Sequence, residues 1–365
     1  MPLAFVIILI VMQALLVLVH VATFEAAAAA FGFASGTAKA VFVAWSFSFV
    51  ASSVLARFSR NPLAQWFYKA ASYWFGLIFF LFIGGAAFAA LDWIAVLAQV
   101  PISTAVLGVI TFGAAFAIHL YGTLISGQAR ITQIEVPLPN VPDYWKDRVL
   151  VFVSDIHLGA VRGRGFMSKV ARRIAAQHPA AVLIGGDLFD GVKCDAEAQL
   201  APLRDLAPDL GTFFITGNHE YYGDFDAFMK AIRGARVRVL DNEIVDLQGL
   251  QLAGFDDRAA SRREDFAKIL DGMRLDPARP ALYMKHEPIH LDLAEAKGFA
   301  AGFFGHTHDG QIFPLTIIAR RIYRGFSYGL RRLGNAWMYV SSGVGTWGPP
   351  LRLGTKSEIV VVRFA

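Results

Sequence analysis

Five separated fragments hold the side chains best suited to chemistry: SDIHLG at 154–159, GGDLFD at 185–190, GNHE at 217–220, KHEP at 285–288 and GHTHDGQ at 305–311. Each sets Asp, Asn or His beside a glycine or behind an apolar run, the pattern of a buried strand ending in a ligand-bearing loop. Side chains two apart on an extended segment point the same way. Asp155 and His157 can therefore grip one ion together, and His306 and His308 can aim their rings into one pocket. Carboxylate, amide oxygen and imidazole suit a borderline divalent ion such as manganese, iron or zinc, and the lack of paired cysteines argues against a structural zinc knuckle. Two such ions side by side can clamp the attacking and leaving oxygens of an in-line displacement and lower the pKa of a shared water. That is the chemistry of phosphate esters.

The elements that must hold these fragments follow from the runs between them. Short β-rich strings lie at 149–153, 181–185, 212–216, 250–255, 281–284, 302–305, 337–342 and 358–364, and several are apolar throughout, as in strands covered on both faces. Helical patterns fit between them, for example at 166–177 and 225–233. The expected fold class for 149–365 is a layered α/β domain of two packed sheets flanked by helices.

Ahead of this domain the texture differs. The chain is 55% hydrophobic with a mean hydropathy of +0.47, too apolar for a soluble pair of domains. No charged side chain occurs from Met1 to Phe24, from Ala70 to Leu91 or from Trp93 to Ala129, and a shorter apolar run lies at about 38–56. A membrane span needs roughly 20 apolar residues, so four transmembrane helices are expected within 1–128. The first run has no Lys or Arg before it and is long for a signal peptide, so a retained anchor is expected. The second loop carries Arg57, Arg60 and Lys69, which places that loop and everything after the fourth span in the cytoplasm. Lone Cys194 agrees with a reducing compartment. Gly84, Gly85 and Ala89 suit close helix packing. Pro137, Pro139 and Pro142 mark 129–148 as an extended linker and entry to the domain.

From about Val149 to Phe364 the chain resembles the calcineurin-like metallophosphoesterase superfamily, through D-x-H, G-D, G-N-H-E, a lone His and G-H-x-H. SDIHLG, GNHEYY, HEP, GHTHDGQ and YVSSGVGTWGPPLRLG are similar to its membrane-associated branch, which includes transmembrane proteins with a metallophosphoesterase domain and related bacterial phosphodiesterases. The resemblance implies two divalent ions. Asp155, His157, Asp187 and His308 would hold the first, and Asp187, Asn218, His286 and His306 the second, with Asp187 bridging. It also implies that His219 contacts the substrate phosphate and protonates the leaving oxygen. Asp190 and Asp256 would lie behind the ligands and orient a histidine ring, against the alternatives of an ordinary loop carboxylate and a strand-end turn. Asp309 departs from the branch, which often has glycine there.

Arg320, Arg321 and Arg324 open a stretch of basic and aromatic residues that ends at Arg332, suited to lipid head groups or a substrate phosphate, or simply to a solvated face. A net charge of +5 and the lack of any binding module argue against nucleic acid. The expected protein is a membrane-anchored two-metal phosphohydrolase of a bacterial inner membrane. Its partners would be the lipid bilayer and a phosphorylated, lipid-linked substrate, by analogy with hydrolysis of UDP-2,3-diacylglucosamine in lipid A synthesis. A phosphodiesterase for soluble nucleotides and a non-catalytic membrane scaffold are the alternatives.

Overall fold

Which layer a strand residue enters is decided by its parity. In the string LVFV, Val151 and Val153 face helices while Leu150 and Phe152 face a second sheet, so both kinds of position must be apolar. The structure, a computed structural model, describes residues 3–365, with 3–6 and 8 described by their backbone alone. Met1 and Pro2, the start of the first expected span, lie outside the described residues. The chain divides into two units, residues 1–124 with 348–351, and 125–347 with 352–365.

The first unit contains α1 (Leu3–Phe31), α2 (Gly36–Ala44), α3 (Ser48–Phe58), α4 (Pro62–Leu97) and α5 (Thr104–Ile125). Among the described residues, four segments are long and apolar enough to cross a membrane: Leu9–Phe31, Gly36–Phe58, Pro62–Leu97 and Thr104–Ile125. The second is broken by a 3₁₀ turn at Trp45–Phe47, where buried Ser46 accepts a hydrogen bond from Gln13 Nε2 at 3.2 Å. Gly84 and Gly85 let helices close on one another. A Cβ on Gly84 would meet Ala115 Cβ at 2.9 Å, and one on Gly85 would meet Ala26 Cβ at 3.0 Å. Ala89 is exposed and takes no part in that seam.

The second unit holds twelve strands: β1 (Arg130–Val136), β2 (Leu150–Val153), β3 (Ala181–Ile184), β4 (Thr212–Phe214), β5 (Val237–Val239), β6 (Glu243–Leu247), β7 (Leu250–Gly254), β8 (Ala281–Met284), β9 (Ala301–Phe304), β10 (Gly329–Leu333), β11 (Ala336–Val340) and β12 (Glu358–Phe364). Its helices are α6 (Arg164–Ala175), α7 (Ala196–Leu200), α8 (Asn218–Tyr222), α9 (Phe225–Gly234), α10 (Arg263–Gly272), α11 (Leu291–Lys297) and α12 (Leu315–Ile322). Two mixed six-stranded sheets form, ordered β1-β12-β2-β3-β4-β5 and β10-β11-β9-β8-β7-β6. Residues 130–136, read from sequence as linker, pair in parallel with all seven residues of β12.

Leu150, Phe152 and Leu183 of the first sheet meet Leu252, Leu282, Phe303 and Tyr339 of the second in a shared core. The outer face of the first sheet packs on Met167, Val170 and Ile174 of α6 and on Phe228 and Ile232 of α9. The outer face of the second packs on Phe266 and Leu270 of α10. β2, β3 and β4 run parallel, as do β8 and β9, so the loops leaving their C-terminal ends gather at one edge of the sandwich.

Candidate metal centre

Those loops carry the chemical fragments. Asp155 and His157 follow β2, Asp187 follows β3, Asn218 and His219 open α8 after β4, His286 follows β8, and His306 and His308 follow β9. Two groups of possible metal ligands sit on either side of the Asp187 loop, Asp155 with His157 and His308, and Asp187 with His286 and His306. In a third group Asp187 lies with His157 and His219. His306 and His308 thus enter different clusters, and Asp155 and His157 meet by a route other than strand alternation. Their φ angles are 53° and 52°, and those of Asp187, His306 and His308 are 50°, 68° and 48°. These are left-handed conformations that cost a non-glycine residue about 1–3 kcal/mol each and persist only where the surroundings impose them.

The donor atoms face one another in a way that calls for cations. His286 Nδ1 lies 2.8 Å from the Gly185 carbonyl and must donate to it, which leaves the neutral ring with a lone pair on Nε2. That buried Nε2 stands 3.1 Å from Asp187 Oδ2 and 4.0 Å from Asp155 Oδ1. Two electron-rich atoms at that distance repel unless a proton or a metal ion lies with them. Burial pushes the His286 imidazolium down, but Asp187 and Asp155 outweigh it and hold its pKa well above the usual histidine value. Asp187 would be raised by burial, yet the histidines His286 and His219 hold it well below the carboxylate range.

The first cluster makes the same demand. Buried His157 Nε2 and His308 Nε2 lie 3.1 Å apart, so one proton at most fits between them, and Asp155 Oδ1 is 3.5 Å from His308 Nε2. Burial, His157 and Arg352 hold the His308 pKa well below its usual value. Against burial, Asp190 and Asp187 raise that of His157. A neutral imidazole on one side and a carboxylate on the other fit a borderline divalent ion. Asn218 Oδ1 accepts from His306 Nδ1 at 2.9 Å, so the amide oxygen is aimed into the second cluster.

His219 donates its main-chain N–H to Asp187 Oδ1 at 2.8 Å, and its Nδ1 lies 3.2 Å from the Asp190 carbonyl oxygen. Its ring packs against His157, Tyr222 and Trp347, and burial lowers its pKa. The Asp190 carboxylate stands 3.4 Å from His157 Nδ1 and 3.9 Å from His219 Nδ1, beside both rings. Asp256 lies elsewhere. It accepts from Thr216 Oγ1 at 2.8 Å and from the Tyr221 hydroxyl, and fastens the turn after β7 to α8. Asp309 has φ 48°, a conformation glycine adopts freely. Its carboxyl is raised by burial and meets Ser327 Oγ at 3.2 Å and Arg320 Nε at 3.8 Å. Arg320, Arg321 and Arg324 are exposed at the end of α12 and just beyond it.

Two further residues matter and were not assigned from the sequence. Glu220, the last letter of GNHE, is fully buried. It accepts main-chain N–H bonds from Asp187 at 3.0 Å, Phe189 at 3.1 Å and Gly217 at 2.7 Å, tying the β3 loop to the β4 loop. Burial and then the Asp187 charge push its pKa up to about 8, against those hydrogen bonds. Arg352 is also fully buried, and burial brings its pKa down to about 10. It donates to the carbonyls of Ser342 at 2.5 Å and Gly345 at 2.7 Å, and more weakly to those of Gly343 and His308. The available signals were a carboxylate directly after Gly-Asn-His and a lone arginine between Leu351 and Leu353.

A double-sheet α/β unit with Asp, Asn and His converging from five strand ends defines a class of metal-dependent phosphoesterases. A family model for "Calcineurin-like phosphoesterase" matches residues 149–310. A metallophosphoesterase of Campylobacter jejuni is 34% identical over 238 residues, 64% of this chain and 63% of its own length. The "Transmembrane protein with metallophosphoesterase domain" of Bos taurus is 33% identical over 249 residues, 63% of this chain and 55% of its own length. A metallophosphoesterase of Aquifex aeolicus is 31% identical over 214 residues, 57% of this chain and 82% of its own length. The chain belongs to the calcineurin-like phosphoesterase family. It spans 63% and 60% of the Campylobacter jejuni relative and of a Helicobacter pylori relative.

Proposed function

We propose that the chain is a membrane-anchored hydrolase that uses two divalent ions to cleave a phosphodiester or pyrophosphate bond, with manganese, iron and zinc as the candidate metals. Asp155, His157, Asp187 and His308 would hold one ion, and Asp187, Asn218, His286 and His306 the other. The observation that carries this reading is the convergence of buried Asp155, His157 and His308, and of Asp187, His286 and His306, into two groups whose donor atoms lie close enough to hold a metal ion. Ions bound there supply positive charge to a phosphate ester and lower the pKa of water. His219 stands over the same carboxylate and carries a proton to the leaving oxygen, while Asp190 holds its ring through the main-chain carbonyl. For a proton to be available on Nε2, the lowered pKa of His219 must rise when phosphate binds.

The proposed substrate is lipid-linked, of the UDP-2,3-diacylglucosamine type. Support comes from four candidate spans in the same chain and from exposed Trp347 and Tyr222 whose rings pack against His219. A tethered site gains effective concentration only toward molecules in its own membrane. The proposed location is a bacterial inner membrane with the second unit in the cytoplasm, on the strength of Arg57, Arg60 and Lys69.

The test is an activity screen of the metal-reconstituted full chain against lipid pyrophosphates, phospholipid diesters and nucleotide diesters, before and after chelation. Hydrolysis that survives complete metal removal overturns the two-ion reading. Preference for soluble nucleotides, in micelles and in bilayers alike, overturns the lipid reading only. His219→Ala should retain its metals and slow turnover roughly 100-fold, less for an ester with a good leaving group. Equal losses for good and poor leaving groups would remove the acid role. A cysteine placed after Arg130 should resist an impermeant thiol reagent in intact cells, and labelling from outside reverses the orientation.

A further inference from the structure

α12 is built inside out. α9 turns Phe228, Met229 and Ile232 into the core, and α6 does the same with Met167, Val170 and Ile174. α12, with the sequence LTIIARRI, buries only Thr316 and Ala319 and leaves Leu315, Ile317, Ile318 and Ile322 exposed at 42%, 46%, 53% and 66%. At 100° per residue, Leu315, Ile318 and Ile322 form one outward stripe, and Arg321 lies between Ile318 and Ile317 around the axis. The apolar surface extends beyond the helix. Phe313 is exposed just ahead of it, and the Gln311 side chain holds exposed Trp347 through hydrogen bonds of 3.0 and 2.9 Å to its main chain. The Trp347 ring centroid is 6.2 Å from that of His219, so this surface reaches the mouth of the metal centre.

We propose that α12 and the segment before it dock on an anionic phospholipid surface, with Leu315, Ile318 and Ile322 entering the boundary between head groups and acyl chains. A helix that pairs an outward aliphatic stripe with arginines and no acid has the composition of an interfacial helix. Arg320, Arg321 and Arg324 have the reach to bring their guanidinium groups to lipid phosphates while their stems lie along apolar surface. Exposed Trp347 is the residue type that settles at head-group depth. Charge selects this occupant over a second copy of the chain, because a two-fold pairing through the stripe brings like-charged arginines together. The inference rests on the spans and on α12 itself, not on the substrate being a lipid.

The full chain, with buried Cys194 replaced by alanine, is labelled at Ile318→Cys with an environment-sensitive fluorophore. It is reconstituted in nanodiscs of phosphatidylcholine alone or mixed with phosphatidylglycerol, some carrying a doxyl-labelled lipid. Lys268→Cys on α10, an exposed site in the same unit, is the reference. Metal content equal to the unlabelled chain shows that each variant has folded, and Leu315→Cys gives a second reporter. Docking predicts emission from position 318 that is blue-shifted and quenched several-fold more by doxyl lipid than emission from 268, more so with phosphatidylglycerol. Replacing Arg320, Arg321 and Arg324 with Gln should remove that lipid dependence. Water-like emission at both positions in both lipids overturns the proposal. A blue shift at 318 that doxyl lipid does not quench also overturns it and assigns the stripe to a protein contact.

Discussion

Glu220 and Arg352 act in opposite senses on the two sets of loops that carry the candidate ligands. Loops from the first sheet, bearing Asp187 and His219, are drawn together by a buried carboxylate that collects three main-chain N–H groups. Loops from the second sheet are drawn together by a buried guanidinium that gives its N–H groups to carbonyls in the stretch 342–345 and at His308. Each choice has a consequence for the ligand beside it. Burial and the Asp187 charge push the Glu220 pKa up to about 8, so this group fastens the loop behind Asp187 and carries little negative charge near neutrality. Burial and His157 lower the His308 pKa, and the guanidinium behind the ring adds to that effect, so the ring is kept neutral. A buried N–H left without an acceptor is rarer and more costly than a carbonyl left with one lone pair unused. The first-sheet side should therefore be the more fragile.

The largest effect tests whether the first-sheet side also dominates metal binding. Asp187→Asn removes the carboxylate that faces both His286 and His157, so the bound metal should fall below two ions per chain. Hydrolysis of an aryl phosphodiester should fall about 1000-fold, the scale of several kcal/mol of lost charge stabilisation. Elemental analysis and steady-state rates check this. Two ions and near-normal turnover in the variant would show that Asp187 does not bridge. Glu220→Ala comes next. Three buried N–H groups lose their acceptor at about 1–3 kcal/mol each, so thermal unfolding should show a loss of at least about 3 kcal/mol. Metal affinity should drop about 10- to 100-fold, as for residues that orient ligands.

The comparison of loops also explains what could be read in advance. All eight strings expected as strands are strands, namely β2, β3, β4, β7, β8, β9, β11 and β12, because each lies inside a sheet and shows apolar side chains to both layers. The four strands not foreseen, β1, β5, β6 and β10, are the four sheet edges, where one side is free and Arg331 or Glu135 can occupy a strand position. The candidate ligands that the structure gathers could be named in advance because His, Asp and Asn beside glycine at strand ends is a chemical pattern. The left-handed backbone at Asp155, Asp187 and His308 was not, since it is imposed by neighbouring loops. The work of Glu220 and Arg352 was hidden for a related reason: burial of a charge is a tertiary fact, and a Glu or Arg in the sequence reads first as surface.

Arg352→Met tests the second-sheet side with a side chain of similar length. Carbonyls at 342, 343 and 345 lose donors but keep some capacity to pair, so the cost should be about 2 kcal/mol, below that of Glu220→Ala. The more telling readout is pH. Burial, His157 and Arg352 together depress the His308 pKa, so removing the guanidinium lets it rise and lets protons compete with metal from a higher pH downward. Metal affinity of the variant should fall about 10-fold, with the deficit growing as pH is lowered. A pH-independent deficit would make Arg352 a purely mechanical clamp and would break the electrostatic half of the comparison.

The smallest expected effect concerns Asp309, which sits between the clamped loop and α12. Its backbone is left-handed at φ 48°, and its carboxylate meets Ser327 Oγ and Arg320 Nε. Asp309→Ala loses both contacts and keeps the backbone strain. Asp309→Gly loses the same contacts but relieves the strain, although glycine also gives the unfolded chain more freedom. Because a left-handed residue with a Cβ costs roughly 1–2 kcal/mol, the glycine variant should be more stable than the alanine variant by about 1 kcal/mol. Thermal unfolding of the two proteins side by side measures that difference. If alanine and glycine are equally stable, the left-handed turn is not a strained one, and the loop after β9 is held by Arg352 and the Thr307 hydrogen bond to the Ser327 carbonyl with little opposition from its own backbone.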